Sequence, residues 1–288
     1  TSNYKEALNS LEKITNKGHG MKEAYQKVAY YRGLELYNNL NYTEAIETFN
    51  KSLQFPGYNR TIAAQTYYWK AEAHYQVGEY EKAIESYNNF LLTSGSFLSE
   101  EYNLAHYNMG YAYFKLKDYP NAIQWFRKYI GFTKGEPSKI VADAYNRIGD
   151  SYFISRTYWV AVEFYDKAIE VGLLDKDYAL FQRGFALGLV NRPEKKITSL
   201  QQLLDEFPES AYVDDALYEM ARSNLDLQNT DKAYENYQRI VNEYPASSYV
   251  KKSLVQLGLL SYNKDQNQEA LKYYQRVVAE FPGTAEAQ

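Results

Sequence analysis

The sequence predicts an all-α chain built as a stack of antiparallel helix pairs, and three observations predict it. Small residues recur at Gly33, Ala71, Gly110, Gly149, Gly184, Ala221 and Gly258, at intervals of 38, 39, 39, 35, 37 and 37 residues. A second small residue follows each by 12 positions, at Ala45, Ala83, Ala122, Ala161, Ala233 and Ala270, with Lys196 as the one departure. A bulky side chain follows by 16, at Phe49, Tyr87, Phe126, Tyr165, Leu200, Tyr237 and Tyr274. The offset inside a unit is constant while the interval between units varies. The turn within each pair is therefore fixed, and length changes fall in the joint to the next pair. One pair of about 30 residues cannot bury both of its apolar faces alone, so it needs neighbours.

The elements follow in order. Residues 1–17 read as the second helix of a truncated repeat: Tyr4-Lys5-Glu6-Ala7-Leu8 matches Tyr80-Glu81-Lys82-Ala83-Ile84, and Leu11 and Ile14 take the sites of the bulky residue and its neighbour. Seven pairs follow, over 21–58, 59–98, 99–136, 137–174, 175–209, 210–246 and 247–283, in one continuous domain over 1–288. The clearest pair runs from Asn103 to Tyr129. Its first helix sets Met109, Gly110 and Tyr113 on one face, and its second sets Ala122, Phe126 and Tyr129 on another. Between them Asp118 is placed to cap the second helix, with Pro120 in the first turn, where a missing N–H costs nothing. The middle joints are loops, at Phe55-Pro56-Gly57, Thr93 to Ser96, Gly131 to Pro137 and Val171 to Lys176. Later joints read Glu206-Phe207-Pro208, Glu243-Tyr244-Pro245 and Glu280-Phe281-Pro282, where each Pro stops a helix and Ser210, Ser247 or Thr284 is expected to cap the next. Thr284 to Gln288 resembles the start of another helix, so both ends read as cut from a longer array.

Composition excludes several classes. The net charge is −4 with Lys and Arg scattered, so nothing points to nucleic acid. There is no cysteine, which excludes a disulfide framework and a thiolate metal site. No apolar run reaches the length of about 18 residues that a membrane span requires. The aromatic content is unusual: 32 Tyr stand against 13 Phe and 3 Trp.

The spacing resembles the tetratricopeptide repeat, whose signature is W-x2-L-G-x2-Y followed by Ala, Phe, Ala and Pro. The fit is closest at Met109-Gly110-Tyr113-Ala122-Phe126, at Ile148-Gly149-Tyr152-Ala161-Tyr165-Ala168 and at Leu257-Gly258-Ala270-Tyr274-Pro282. The signature Trp is replaced by Ala29, Tyr67, His106, Tyr145, Leu180, Leu217 and Leu254. The resemblance implies a right-handed superhelix of about seven pairs plus a leading half repeat, with first helices lining a concave surface. The longer period and the E-[FY]-P-x-S joints resemble the exported bacterial branch of outer-membrane assembly lipoproteins and the Tol–Pal accessory protein. That implies a periplasmic or outer-membrane-associated setting, the alternative being cytoplasmic.

On such a surface the groove-facing sites carry an aromatic stripe: Tyr30, Tyr37, Tyr68, Tyr75, Tyr107, Tyr111, Phe114, Phe153, Phe181, Phe185 and Tyr218, with Asn108, Asn146, Asp150 and Arg222 among them. Tyr supplies flat apolar area and a hydroxyl at little rotamer cost, which suits docking of a protein or peptide segment. The competing reading is that these rings fill the spaces between neighbouring helices. A carbohydrate module would use the same rings, and only the Tyr107–Tyr111–Asn146–Asp150 neighbourhood offers polar groups beside them. A purely structural spacer is the third reading. The Lys/Asn/Arg clamp that the family uses for a C-terminal carboxylate has no matching pattern here. His74 and His106 fall at packing sites and His19 in a loop, so no metal or other cofactor is expected. No Gly-rich phosphate loop or nucleophile elbow occurs, and a non-catalytic scaffold is expected. Val277, Val278 and Phe281 in the last pair lack a polar cap, so self-association through the ends is expected as well.

Overall fold

A computed structural model describes residues 3–283, and the described residues hold fifteen α-helices and one short 3₁₀ turn, with no strand. They fall into two compact units that divide between Glu136 and Pro137. The first contains α1 (Tyr4–Glu12), α2 (His19–Asn38), α3 (Tyr42–Ser52), α4 (Arg60–Gln76), α5 (Tyr80–Leu92), α6 (Glu101–Lys115) and α7 (Tyr119–Phe132). The second contains α8 (Lys139–Ile154), α9 (Tyr158–Val171), α10 (Lys176–Leu189), α11 (Pro193–Glu206), α12 (Val213–Asp226), α13 (Thr230–Glu243), α14 (Val250–Asn263) and α15 (Asn267–Glu280). After α1, consecutive helices pair into seven hairpins, and within each unit every hairpin packs on the next.

Each hairpin closes in the same way. The residue seven positions after the small residue is left-handed in every case: Leu40 (φ 62°), Gly78 (80°), Lys117 (61°), Arg156 (59°), Asn191 (56°), Gln228 (61°) and Asp265 (59°). The next amide then bonds a carbonyl five residues back, as Asn41 does to Leu36 at 2.9 Å and Asp118 to Tyr113 at 2.9 Å. This Schellman closure satisfies the last carbonyls of the first helix and turns the chain directly into the second. It is why the internal offset never changes. Asp118 caps α7 as expected, its carboxylate accepting from the Asn121 amide at 3.3 Å, with Pro120 in the first turn.

Inside a hairpin the bulky residue sits on the small one. A β-carbon added to Gly110 would lie 2.7 Å from the Phe126 ring, and one added to Gly149 would lie 2.7 Å from the Tyr165 ring. Both rings are fully buried, as are Ala45, Ala83, Ala122, Ala161 and Ala233. These residues make the core that lets first and second helices approach closely.

Four local expectations change. His19, expected in a loop, opens α2 instead. Ala7 is exposed and Leu8 is buried against Tyr25 and Ala29, because no helix precedes α1 among the described residues to cover the Ala7 face. Ser210 and Ser247 are not the helix caps. The cap positions belong to Tyr212 and Tyr249, and each serine hydroxyl accepts from that tyrosine's amide, at 3.2 Å and 3.1 Å. The serine turn is completed before the helix begins, so each helix starts later. Val277 is buried whereas Val278 is exposed. The readings of Thr284 as a cap and of Thr284 to Gln288 as a new helix lie outside the described residues.

Candidate functional site

The first helices of successive hairpins lie side by side, α4 against α2 and α6 in the first unit and α10 against α12 in the second. Where the expected groove residues lie depends on their place in the hairpin. Tyr30 and Tyr68, three positions before the small residue, are buried at 4% exposure and belong to the core. Asn146 and Asp150 are buried too. Tyr68 is covered by the second helix of its own hairpin, where it meets Tyr87 and Phe90 edge-on at 6.0 and 5.4 Å, whereas Tyr107, Phe181 and Tyr218 at the same −3 position are half-buried.

The +4 rings are half-buried, and each leans on the aromatic residue opening the second helix of its own hairpin. Tyr37 meets Tyr42 at 5.2 Å, Tyr75 meets Tyr80 at 5.3 Å, Phe114 meets Tyr119 at 5.6 Å and Phe153 meets Tyr158 at 5.3 Å. One face of each ring is thereby fixed, which rigidifies the stripe. Tyr107 and Tyr111 pack on Phe126 at 5.7 and 5.4 Å, and their own planes cross at 72°.

In the first unit, Tyr75, Asn108 and Tyr111 meet in one cavity of about 190 Å³, completed by Glu72, Gln76 and Tyr87. Glu72, at the groove-facing position one residue after Ala71, organises it. The Tyr87 hydroxyl donates to Glu72 Oε1, and Asn108 Nδ2 donates to the same oxygen at 2.5 Å while lying 3.3 Å from the Tyr68 hydroxyl. Burial raises the Glu72 carboxyl above its ordinary value of 4.5, against the hydrogen bonds from Tyr87, Asn108 and Tyr68. Burial also pushes the Tyr37 and Tyr75 hydroxyls up to about 12, so both remain donors at neutral pH.

The second unit repeats this link with one addition. Asp150 accepts from the Tyr165 hydroxyl at 2.8 Å and the Tyr178 hydroxyl at 2.7 Å, and it pairs with Arg147 at 2.5 Å. In both links the tyrosine at +16 reaches the acid at +1 of its own hairpin. The pairing is confined to these two hairpins: Tyr237 and Tyr274 also stand at +16, but with Arg222 and Leu259 at +1.

Phe181 stacks on Phe185 with centroids 6.3 Å apart and on Tyr212 at 5.2 Å, and Tyr218 stacks on Tyr249 at 4.3 Å. A second cavity of about 280 Å³ is lined by Phe185, Gly188, Lys196, Glu219 and Arg222, among others. Here Lys196, at the site otherwise held by Ala, is buried beside Gly188 with its ammonium on Glu219, which also holds Arg222 at 3.1 Å. A β-carbon at Gly188 would come within 3.0 Å of the Lys196 stem, so the glycine makes room for the lysine.

His74 and His106 are buried, with Nδ1 of His74 2.7 Å from Glu79 and that of His106 2.8 Å from the Tyr102 carbonyl. No cluster of three or more His, Asp or Glu side chains placed to hold a metal occurs among the described residues, nor does a helix long and apolar enough to cross a membrane.

Comparison with known proteins follows the same geometry. The chain is similar to the C-terminal part of a TPR repeat-containing protein from Cytophaga hutchinsonii, 19% identical with a TM-score of 0.72, over 90% of this chain and 97% of that one. It is also similar to RapI in its apo form, at 15% identity and a TM-score of 0.64 over 96% and 80% of the two chains. A third is YrrB, described as a TPR protein with an unusual peptide-binding site, at 16% identity and a TM-score of 0.53 over 72% and 95%. No curated protein matches the chain. Models of the tetratricopeptide repeat match residues 68–137, 178–210, 215–247 and 252–284, more than half of the sequence. Together with the hairpins, their glycine-seated wedges and their common closure, these matches show that the chain belongs to the tetratricopeptide repeat family.

Proposed function

We propose that this chain is a non-catalytic scaffold that holds a segment of a partner protein along its first helices, with the main contact at the Glu72 cavity of the first unit. One observation carries the reading: Tyr75, Asn108 and Tyr111, chosen from sequence as groove residues, converge with Glu72 on one open pocket of about 190 Å³. Rigid aromatic walls around a few oriented polar groups are what a peptide-binding site requires. The fold is shared with YrrB, for which a peptide-binding site is described. The packing alternative accounts for Tyr30, Tyr68 and Tyr87, which are buried, but not for Tyr75 and Tyr111, whose rings are only half-buried at the cavity. A sugar platform would need coplanar rings, and Tyr107 and Tyr111 cross at 72°.

The bacterial cell envelope is the setting we propose, resting on the Glu206-Phe207-Pro208 type of joint alone; fractionation of the native host, with the chain found in the cytosolic fraction, would refute it. Self-association is proposed through α15, whose Leu271, Tyr274 and Val278 are exposed. Sedimentation of a Leu271→Glu/Val278→Glu variant tests it, an unchanged oligomeric state arguing against that face.

The test of the scaffold reading is capture from cell extract by the parent chain and by a Tyr75→Ala/Tyr111→Ala variant whose circular dichroism matches the parent. A protein retained by the parent and lost from the variant is expected. Equal capture by both would move the contact to another surface.

A further inference from the structure

Asp143, Asp150 and Glu219 are buried carboxylates on first helices, and Glu72 sits at the edge of the interior. The three buried ones each carry a cation from their own unit, Asp143 meeting Arg147 at 3.4 Å. Asp150 meets Arg147 at 2.5 Å, and Glu219 holds Lys196 together with Arg222 at 3.1 Å. Glu72 differs. Among the described residues its donors are all neutral: the hydroxyls of Tyr87 and Tyr68 and the amide of Asn108. A carboxylate drawn away from water and held only by neutral dipoles is a costly place for a negative charge, and a cation offsets that cost.

The surroundings provide space for one. The cavity beside Glu72 contains no Lys or Arg among its lining residues and is walled by Tyr75, Tyr87 and Tyr111. The electron-rich faces of such rings attract a cation directly. Glu101 adds to the negative potential of this region, since its charge is felt at both Tyr68 and Tyr30.

The hydrogen bonds also bear on which cation fits. Tyr87 and Asn108 both donate to Oε1, so one carboxylate oxygen is already doubly engaged. A guanidinium binds a carboxylate best as a fork across both oxygens, whereas an ammonium acts as a point charge on one. An ammonium on a flexible apolar stem therefore matches a one-oxygen acceptor at the base of an aromatic pocket.

The geometry points to a lysine side chain of the bound protein segment as the occupant of this cavity, its ammonium on Glu72 and its methylenes against Tyr75 and Tyr111. The inference rests on the groove reading above and deepens it by naming the chemistry of the partner.

A library of randomised twelve-residue peptides is selected against the full chain. Enriched peptides are then titrated into the parent, a Glu72→Gln variant and the Tyr75→Ala/Tyr111→Ala variant. Glutamine keeps an acceptor for Tyr87 and Asn108 while removing the charge. The expected result is a shared lysine, a Kd raised about tenfold or more by Glu72→Gln, and a similar loss when the peptide lysine is replaced by norleucine. Both changes together should cost little more than either alone. The norleucine peptide leaves the protein intact, so it reports even if the Glu72 variant folds poorly. Peptides that need Tyr75 and Tyr111 but lack a shared lysine, carry arginine in its place, or bind Glu72→Gln as tightly as the parent overturn the lysine assignment while the groove stands. Selection that yields no peptide, or peptides indifferent to the Tyr75/Tyr111 variant, overturns both.

Discussion

Replacing Gly110 by alanine adds one methyl group at the tightest point of the α6–α7 hairpin. The new β-carbon would lie 2.7 Å from Phe126 Cδ1 and Cε1 and 2.9 Å from Cγ, where ordinary contact begins at 3.4 Å. The ring has nowhere to retreat: it is fully buried and flanked by Tyr107 at 5.7 Å and Tyr111 at 5.4 Å. Overpacking of this kind costs about 1–3 kcal/mol. Alanine returns about 1 kcal/mol through its better helix propensity. The net expectation is a loss of about 1 kcal/mol, seen as a lower urea midpoint by circular dichroism. Gly20 supplies the control, because it is helical and nothing stands within 4 Å of its added β-carbon. There the same substitution should stabilise by about 0.5 kcal/mol. Ala71 and Ala221 occupy the equivalent site opposite Tyr87 and Tyr237, so alanine is compatible with a hairpin spaced for it. Phe126→Leu in the Gly110→Ala background should consequently be less than additive. A Gly110→Ala chain as stable as the parent would refute the close seating of ring on glycine as the hairpin's packing constraint.

Other outcomes follow from the same structure. Burial raises Glu72 above 4.5 in the folded chain, so the fold favours its neutral form; that contribution is complete below about pH 4.5 and is lost as pH rises through the folded value. Without ligand, Glu72→Gln should therefore melt progressively higher relative to the parent from pH 4 to pH 8, and a pH-independent difference would contradict this. Leu40 is left-handed with φ 62° and 70% exposed, so Leu40→Gly should stabilise by about 0.5–1 kcal/mol in urea unfolding, relieving the steric penalty of the turn with little packing to lose. Lys196→Met leaves buried Glu219 with Arg222 as its only charge partner among the described residues and should cost about 3 kcal/mol, while Lys196→Met/Glu219→Gln recovers most of it; equal midpoints for the single and double variants would show that the pair does not act as a unit.

Much of the site was readable from spacing, but not its centre. Tyr75 and Tyr111 follow from their offsets to Ala71 and Gly110, because residues at fixed helical phase share a face, whereas Asn108 stands out only as a polar residue among the stripe. Glu72 has the same phase, yet a carboxylate on a helix face is ordinarily solvated and gives no reason to select it. Its meaning comes from Tyr87, 15 residues on, and Asn108, 36 residues on, which meet it only when three helices pack. Lys196 was legible as an anomaly, a charge at an alanine site, but its partner Glu219 lies on the next hairpin.

The sequence by itself determined the all-α class, the number and register of the hairpins, and the small residue and wedge that hold each one together. Those are local and periodic, and they repeat often enough that each copy confirms the others. Tertiary structure decided the rest. It showed that each turn carries a left-handed residue, which Gly78 and, more weakly, Asn191 and Asp265 advertise, because the closure can impose that conformation on Leu40 or Lys117 as well. It also separated buried Tyr30 and Tyr68 from half-buried Tyr37 and Tyr75. Helical phase fixes the direction in which a side chain points, but its depth is set by what the neighbouring hairpin places over it.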